Sequence, residues 1–399
     1  MGGRAVLSRR MTAVGADVGV IGAGIVGLAT ALALVDQGAS VTVYERGVPG
    51  QAQSGGESRI FRHAHDDRRL VELARQARAI WREYEERFGT ELLSRDGVVA
   101  LGPAAMRRLE AMRAAGVRAH LIDGGELTER LPVLAAEHDR AVLDEDGGAI
   151  RTRASIDALT AALGERIVSD EVLAVRSTRA GTAEVRAGGA RAEHGRVVVC
   201  AGRGTAALAR GAGLPLPMRQ AVHVRLTYAV RGEPPARLAC LLDSTAETGA
   251  YADPMPGNAA YAVGLDDTPV HEDGSLIDAT GLNAIAERTT AYVERALPGL
   301  HPEPVAVRHC WVTELPWHPD GFAVWELPGL VILAGNHLFK HAPAVGRELA
   351  RAALGESLAP QLHPEAKLGR SCSTQSVPES TGGPAGCGDD GPPAAASIG

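Results

Sequence analysis

Hydrophobic and polar positions along this chain fall into two rhythms. An unbroken apolar run over 18–21 predicts a buried strand, and 24–37 predicts a helix apolar on nearly every side. A second strand over 40–44 ends at Glu45, which completes a βαβ unit. Apolar spacing over 68–88 predicts a long helix stopped by Gly89. A strand over 97–101 and a helix over 104–115 come next. After the turn Asp146-Gly147-Gly148 follow a helix over 155–163 and strands over 171–175 and 197–200. From 219 to about 317 the rhythm shortens to β segments at 222–230, 259–263 and 305–312, interrupted by a helix over 281–296. A buried strand at 330–334 and a helix at 344–354, with Gly355 in the C-cap position, close the pattern.

The fold class expected is α/β. A Rossmann-like dinucleotide-binding domain (15–90, 145–218 and 325–362) is interleaved with a mainly antiparallel β-sheet domain (91–144 and 219–324). Residues 369–399 are rich in Ser, Gly and Pro and are expected to be disordered. The uncharged stretch 18–35 follows Arg9 and Arg10 and has the length of a membrane span. Its regular glycines and the strand after it favour the βαβ reading, with Met11 as the natural start and residues 1–10 dispensable.

Composition narrows the chemistry. A net charge of -7 without a dense basic block excludes nucleic acid as the expected partner. Cys200, Cys240, Cys310, Cys372 and Cys387 show no CxxC or Cys/His spacing, so neither a metal nor a disulfide framework is expected. The expected protein is cytoplasmic, monomeric and free of membranes. Of 41 basic residues only Lys340 and Lys367 are lysines. A lysine kept in such a chain suggests a role for a compact charge that arginine cannot fill.

Gly22-Ala23-Gly24-Ile25-Val26-Gly27 is a GxGxxG sequence between strand and helix, with Glu45 placed 23 residues after Gly22. Gly22 allows the tight turn, Gly24 the approach of a pyrophosphate to helix N–H groups, and Gly27 close helix–strand packing. Glu45 is positioned to accept from a ribose diol. FAD and NAD both fit this motif.

Further segments carry a resemblance. These are residues 54–65 (SGGESRIFRHAH), Asp146-Gly147-Gly148, 197–202 (VVVCAG), Cys310, and 335–346 (GNHLFKHAPAVG). In this order the chain resembles the FAD enzymes of the D-amino acid oxidase superfamily. More narrowly it resembles the monomeric sarcosine oxidase and N-methyltryptophan oxidase group, over about 15–360. The resemblance implies FAD, held by Gly22, Gly24, Gly27, Glu45, Arg46 and Ser54. Ser58, Arg59, Val172, Ala201, Gly202, Gly335 and Lys340 complete the set, with Cys310 bonded covalently to the flavin. It also implies that Arg62 and Lys340 grip a substrate carboxylate and that Tyr251 is an active-site tyrosine. Cys200, on an apolar strand, reads as packing.

The pattern departs from that group in four places. Ala262 falls where a lysine activates O2, Asp266 where a histidine stands, and Val312 where a tyrosine stands. The late GHGFK reads Asn336-His337-Leu338-Phe339-Lys340. Arg59 and His63 are the candidate replacements for the missing cation. The implied activity is FAD-dependent oxidation of a C–N bond in an amino acid, N-methyl amino acid or cyclic imino acid. Its acceptor is O2, giving H2O2, and the substrate is a specialised one. An FAD-dependent dehydrogenase with another electron acceptor is the alternative.

Overall fold

A computed structural model describes residues 17–266 and 278–370. The expected tail therefore lies outside the described residues apart from Gly369 and Arg370, as do residues 1–10, Met11, Cys372 and Cys387.

Six strands form the first sheet, in the order Phe322–Leu327, Leu330–Gly335, Arg196–Val199, Asp17–Ile21, Ser40–Glu45 and Ile167–Ser169. All neighbours run parallel except the first pair, a hairpin. The helix Ile25–Asp36 is buried from Ile25 to Leu34, which explains its lack of a polar face. The helix Leu338–Ala353 crosses it at Gly346, where a Cβ would lie 2.8 Å from the Ala29 carbonyl carbon. A third helix, Arg68–Phe88, is capped by Asp67, which accepts from Arg69 N at 2.9 Å, and ends at Gly89 with φ 64°. Its fully buried Trp81 stacks on Phe339 and donates from Nε1 to Lys340 O at 3.0 Å. That indole fixes the first turn of Leu338–Ala353, and with it Lys340.

The second sheet has eight strands: Leu300–Glu314, Arg219–Val230, Ala260–Leu265, Ala250–Pro254, Cys240–Asp243, Val98–Leu101, Arg140–Asp144 and Ala119–Asp123. It is antiparallel except where Cys240–Asp243 meets Val98–Leu101. The helix Ala279–Ala296 covers one face, packing Ile285, Tyr292 and Val293 on Leu226, Tyr228 and Val263. The opposite face turns Arg225 and Asp253 toward Ser58–Phe61, the strand that pairs with Gly148–Arg151. A three-stranded antiparallel sheet joins Val172–Ser177, Ala183–Ala187 and Ala190–His194.

The α/β class and its interleaved sheets match the expectation. Several elements do not. The last helix begins at Leu338 and runs through Pro343, six residues before the expected start at 344. Proline normally ends a helix; here the Trp81–Phe339 stack and buried Ala342 and Val345 draw the first turn in. The strand expected over 305–312 extends to Leu300–Glu314. Ala250–Pro254 and Phe322–Leu327 were not legible: AYADP carries Asp253 and Pro254, and Asp253 is tolerated because Arg225 and Ser58 satisfy it. Among the described residues no helix is long and apolar enough to cross a membrane.

Candidate active site

The glycine loop is shaped by the backbone. Gly22 has φ 98°, and a Cβ there would lie 2.6 Å from Cys200 O. At Gly27 a Cβ would overlap the Gly22 carbonyl oxygen. Ser54 Oγ accepts from Ile25 N at 3.0 Å, at the N-terminus of the central helix. Glu45 accepts from Ala23 N at 2.8 Å and from Gly47 N at 2.9 Å, so its carboxylate ties the loop to the second strand. Gly202 and Gly335 both have positive φ, and a Cβ at either would strike Gln53 or Phe322. Asn336 Nδ2 is buried and has no hydrogen-bond partner among the described residues. These features fit FAD: a glycine turn at a helix N-terminus for a pyrophosphate, an acid at the strand end for a ribose, and an orphan buried donor at Asn336. Ala201 is half-buried against Gly22 and Val172 is half-buried against the packing behind the sheet, whereas Arg46 points to solvent and pairs with Glu171 at 3.3 Å. The Cys200 thiol is pushed up to about 12 by burial, in keeping with packing alone.

Deeper in, the two sheets meet around buried cations. Arg225 donates to Ser58 O at 3.2 Å and to Asp253, whose other oxygen accepts from Ser58 Oγ. Arg225 also lies over the Tyr251 ring, 5.9 Å from its centroid. Arg59 donates to Gly55 O at 2.5 Å, and burial lowers its guanidinium pKa while the nearby Cys310 thiol raises it. Cys310 is half-buried opposite His223, on the face that also carries Arg308 and Arg225. Ala262 stands in register with Asp253, and Gly264 abuts the Tyr251 ring. His63 is instead bonded through Nδ1 to Asp144 at 2.9 Å.

The cleft beyond is organised by Asp320. Its Oδ2 accepts from Arg62 at 3.1 Å and lies 3.3 Å from His65 Nδ1; its Oδ1 lies 3.2 Å from His337 Nε2. Burial alone would raise the Asp320 carboxyl, but His337, Arg62 and His65 outweigh it and hold it well below the usual range. His337 adopts φ 53°, its side chain is 37% exposed, and the neighbouring packing and cations hold its imidazole below its ordinary value. Burial and Arg62 push His65 well below its ordinary value too. Both rings are therefore neutral near pH 7. Lys340 is 4% exposed, and its Nζ donates to His337 O at 3.3 Å. Burial and the facing Arg62 lower it to about 7. Arg62 is further fixed by Ala64 O. The His223 ring stands edge-on to both Tyr251 (6.3 Å) and His337 (6.5 Å), linking the two sheets. Asp266 flanks the same cleft within electrostatic reach of Arg62 and Asp320.

Residues 17–352 match the FAD dependent oxidoreductase family, DAO. The chain belongs to that family. Human peroxisomal sarcosine oxidase is 26% identical over 358 residues, covering 84% of this chain and 90% of that protein. Two solved structures show the same fold. NikD, an amino acid oxidase of nikkomycin biosynthesis in its open form, has a TM-score of 0.71 at 22% identity, covering 87% of this chain and 95% of NikD. L-proline dehydrogenase from P. horikoshii has a TM-score of 0.72 at 18% identity, covering 87% and 96%.

In this DAO-family chain the structure brings Arg62 and Lys340 together, and groups Arg59, Cys310, Tyr251 and Ser58 around Arg225. It does not bring Arg46 or His63 to the cleft. Sequence reading missed Asp320, Arg225, His223 and His337. Asp320, Arg225 and His223 sit in no motif, and His337, inside the late motif, was given no role; each acquires its position from a strand or turn contact made by a distant segment.

Proposed function

We propose that this protein oxidises the C–N bond of a carboxylate-bearing amine, an amino acid, N-methyl amino acid or cyclic imino acid, to an imine. One observation supports it above the rest: two cations, Arg62 and Lys340, share one buried cleft, and Lys340 meets only a carbonyl among its hydrogen-bond partners in the described residues. A buried ammonium that makes no direct ion pair is costly; Asp320 acts on Lys340 only from a distance, and a ligand carboxylate supplies the direct partner. Arg62, already held by Ala64 O and Asp320, is oriented before the ligand arrives. Tyr251 and His223 wall the side where the amine would sit. Burial of the cleft keeps water from the reacting carbon. The hydride chemistry itself is what FAD supplies when bound.

Cys310 is the proposed covalent anchor, supported by its place on the face with Arg225 and Arg308 and by its nearness to Arg59. Oxygen is the proposed acceptor, because buried Arg225 and half-buried Arg59 can stabilise the negative charge that forms when O2 takes an electron. A dehydrogenase is the second reading, and Ala262 motivates it. Anaerobic bleaching of the flavin against a panel of amino acids, N-methyl amino acids and cyclic imino acids tests the substrate class. Peroxide yield under air then separates oxidase from dehydrogenase. Bleaching by NAD(P)H alone would overturn the proposal.

A further inference from the structure

Two short helical turns, Pro360–Leu362 and Pro364–Ala366, follow the last helix, and residues 366–370 then run between two segments that build the cleft. One segment holds Arg62, His65 and Asp67. The buried Asp67 carboxylate accepts from Gly369 N at 2.9 Å and from Arg69 Nη2 at 2.7 Å. Arg69 Nη1 donates in turn to Ala366 O at 2.8 Å. The other segment is the turn 317–321, which holds Asp320. Trp317 Nε1 donates to Leu368 O at 3.1 Å. A Cβ at Gly369, where φ is 102°, would lie 3.0 Å from Gly321 Cα and 3.3 Å from the Asp320 carbonyl carbon. Leu368, between these contacts, is fully buried. The turn is joined to the Lys340 segment by Asn336 N, which donates to Gly321 O at 3.1 Å. It is joined to the Arg62 segment by Asp320 itself and by 366–370.

We propose that 366–370 is a positioning strap for the cleft: by joining Asp67 to the Asp320–Gly321 peptide it holds Asp320 against Arg62 and His65 and keeps Arg62 aimed at the ligand. The proposal rests on the reading of the cleft as a carboxylate site. Asp320 reaches Arg62 and His65 through one oxygen, at 3.1 and 3.3 Å, so a small displacement of the turn weakens both contacts. Positioning has a consequence that packing of Leu368 alone lacks. Asp320 favours the Lys340 ammonium while Arg62 opposes it, and His65, His337 and His341 stay neutral. A turn released from the strap carries Asp320 away, and Lys340 then loses its proton at lower pH.

Because Lys340 and Lys367 are the only lysines of the chain, isotope-labelled lysine gives two side-chain signals in the FAD-loaded full chain. Lys367→Arg assigns them, and Lys340 can then be titrated by NMR without any ligand. Trp317→Phe removes the hydrogen bond to Leu368, and Gly369→Ala presses a methyl on the Asp320–Gly321 peptide. Each should move the Lys340 titration to lower pH. Each should also weaken acetate, read from the flavin spectrum, by about two- to tenfold, the scale of one hydrogen bond. In an Asp320→Asn background neither should move the titration further. A Lys340 titration left in place by both variants, whatever their thermal stability, would overturn the proposal. So would a shift that persists undiminished without the Asp320 charge. If Gly369→Ala unfolds the chain, the milder Trp317→Phe decides alone. Failure of acetate to bind the unmutated protein would instead count against the carboxylate reading, while the lysine titration still decides the strap.

Discussion

The glycine loop at the start of Ile25–Asp36 and the cleft around Asp320 solve recognition in different ways. The loop uses backbone: Gly22 and Gly27 lack side chains where a Cβ would strike Cys200 O and Gly22 O, so the turn closes tightly on the helix N-terminus. The cleft uses side chains from three distant segments, Arg62 and His65, Asp320, and His337 with Lys340. The loop holds no buried ion pair, and it tolerates almost no change in shape. The cleft is tightly charged and responds to protonation. A backbone site is thus rigid and general, whereas a side-chain site can be retuned for one substrate by exchanging single residues.

This contrast can be broken first at the loop. Gly27→Val should abolish flavin retention, a loss of at least about 3 kcal/mol, because its side chain would overlap the Gly22 carbonyl. The flavin-to-protein ratio after gel filtration, with circular dichroism as a check on folding, measures it. A fully loaded variant would show that the loop has more freedom than its packing allows.

At the cleft the effects are smaller. Lys340→Met should weaken carboxylate inhibitors by about 1.5–3 kcal/mol, the scale of a charged hydrogen bond, with flavin still bound. Titration of the flavin spectrum reads this directly.

The pH dependence has a definite sign. Among Lys340 and the groups that face it, Arg62, His65, Asp320, His337 and His341, Lys340 alone is brought close to 7: Asp320 stays charged and the three imidazoles stay neutral. A bound carboxylate favours the ammonium and raises its pKa. Affinity should be flat below about pH 7. Above it, affinity should fall by up to about tenfold per pH unit as free Lys340 loses its proton. An affinity independent of pH from 6 to 9 would contradict the assignment.

The smallest effect is expected at Asp320. Its charge favours protonated Lys340, so Asp320→Asn should move that midpoint to lower pH. The same inhibitor titration, repeated on the variant, reads the shift; a move to higher pH would break the account of the cleft.

How much of this was legible from sequence follows the same divide. The GxGxxG loop, Glu45 and the parallel strands were readable because local periodicity and glycine spacing dictate them. Arg62 and Lys340 emerged through resemblance and the scarcity of lysine. Asp320 gave no signal, since a lone aspartate in a Trp-His-Pro-Asp-Gly turn reads as turn chemistry. Arg225 was hidden among 39 arginines, and only the fold shows it buried against Asp253. The start of the last helix, expected at 344, was not legible because the Trp81 stack that draws in its first turn is tertiary.

The central claim is that this cleft selects a carboxylate beside the reacting amine. The most direct test is the anaerobic rate of flavin bleaching by a substrate amino acid against the same amine lacking its carboxylate, in the unmutated protein and in Lys340→Met. The account predicts a large preference for the carboxylate in the former and a much reduced one in the latter. Equal bleaching by both amines in the unmutated protein would contradict it.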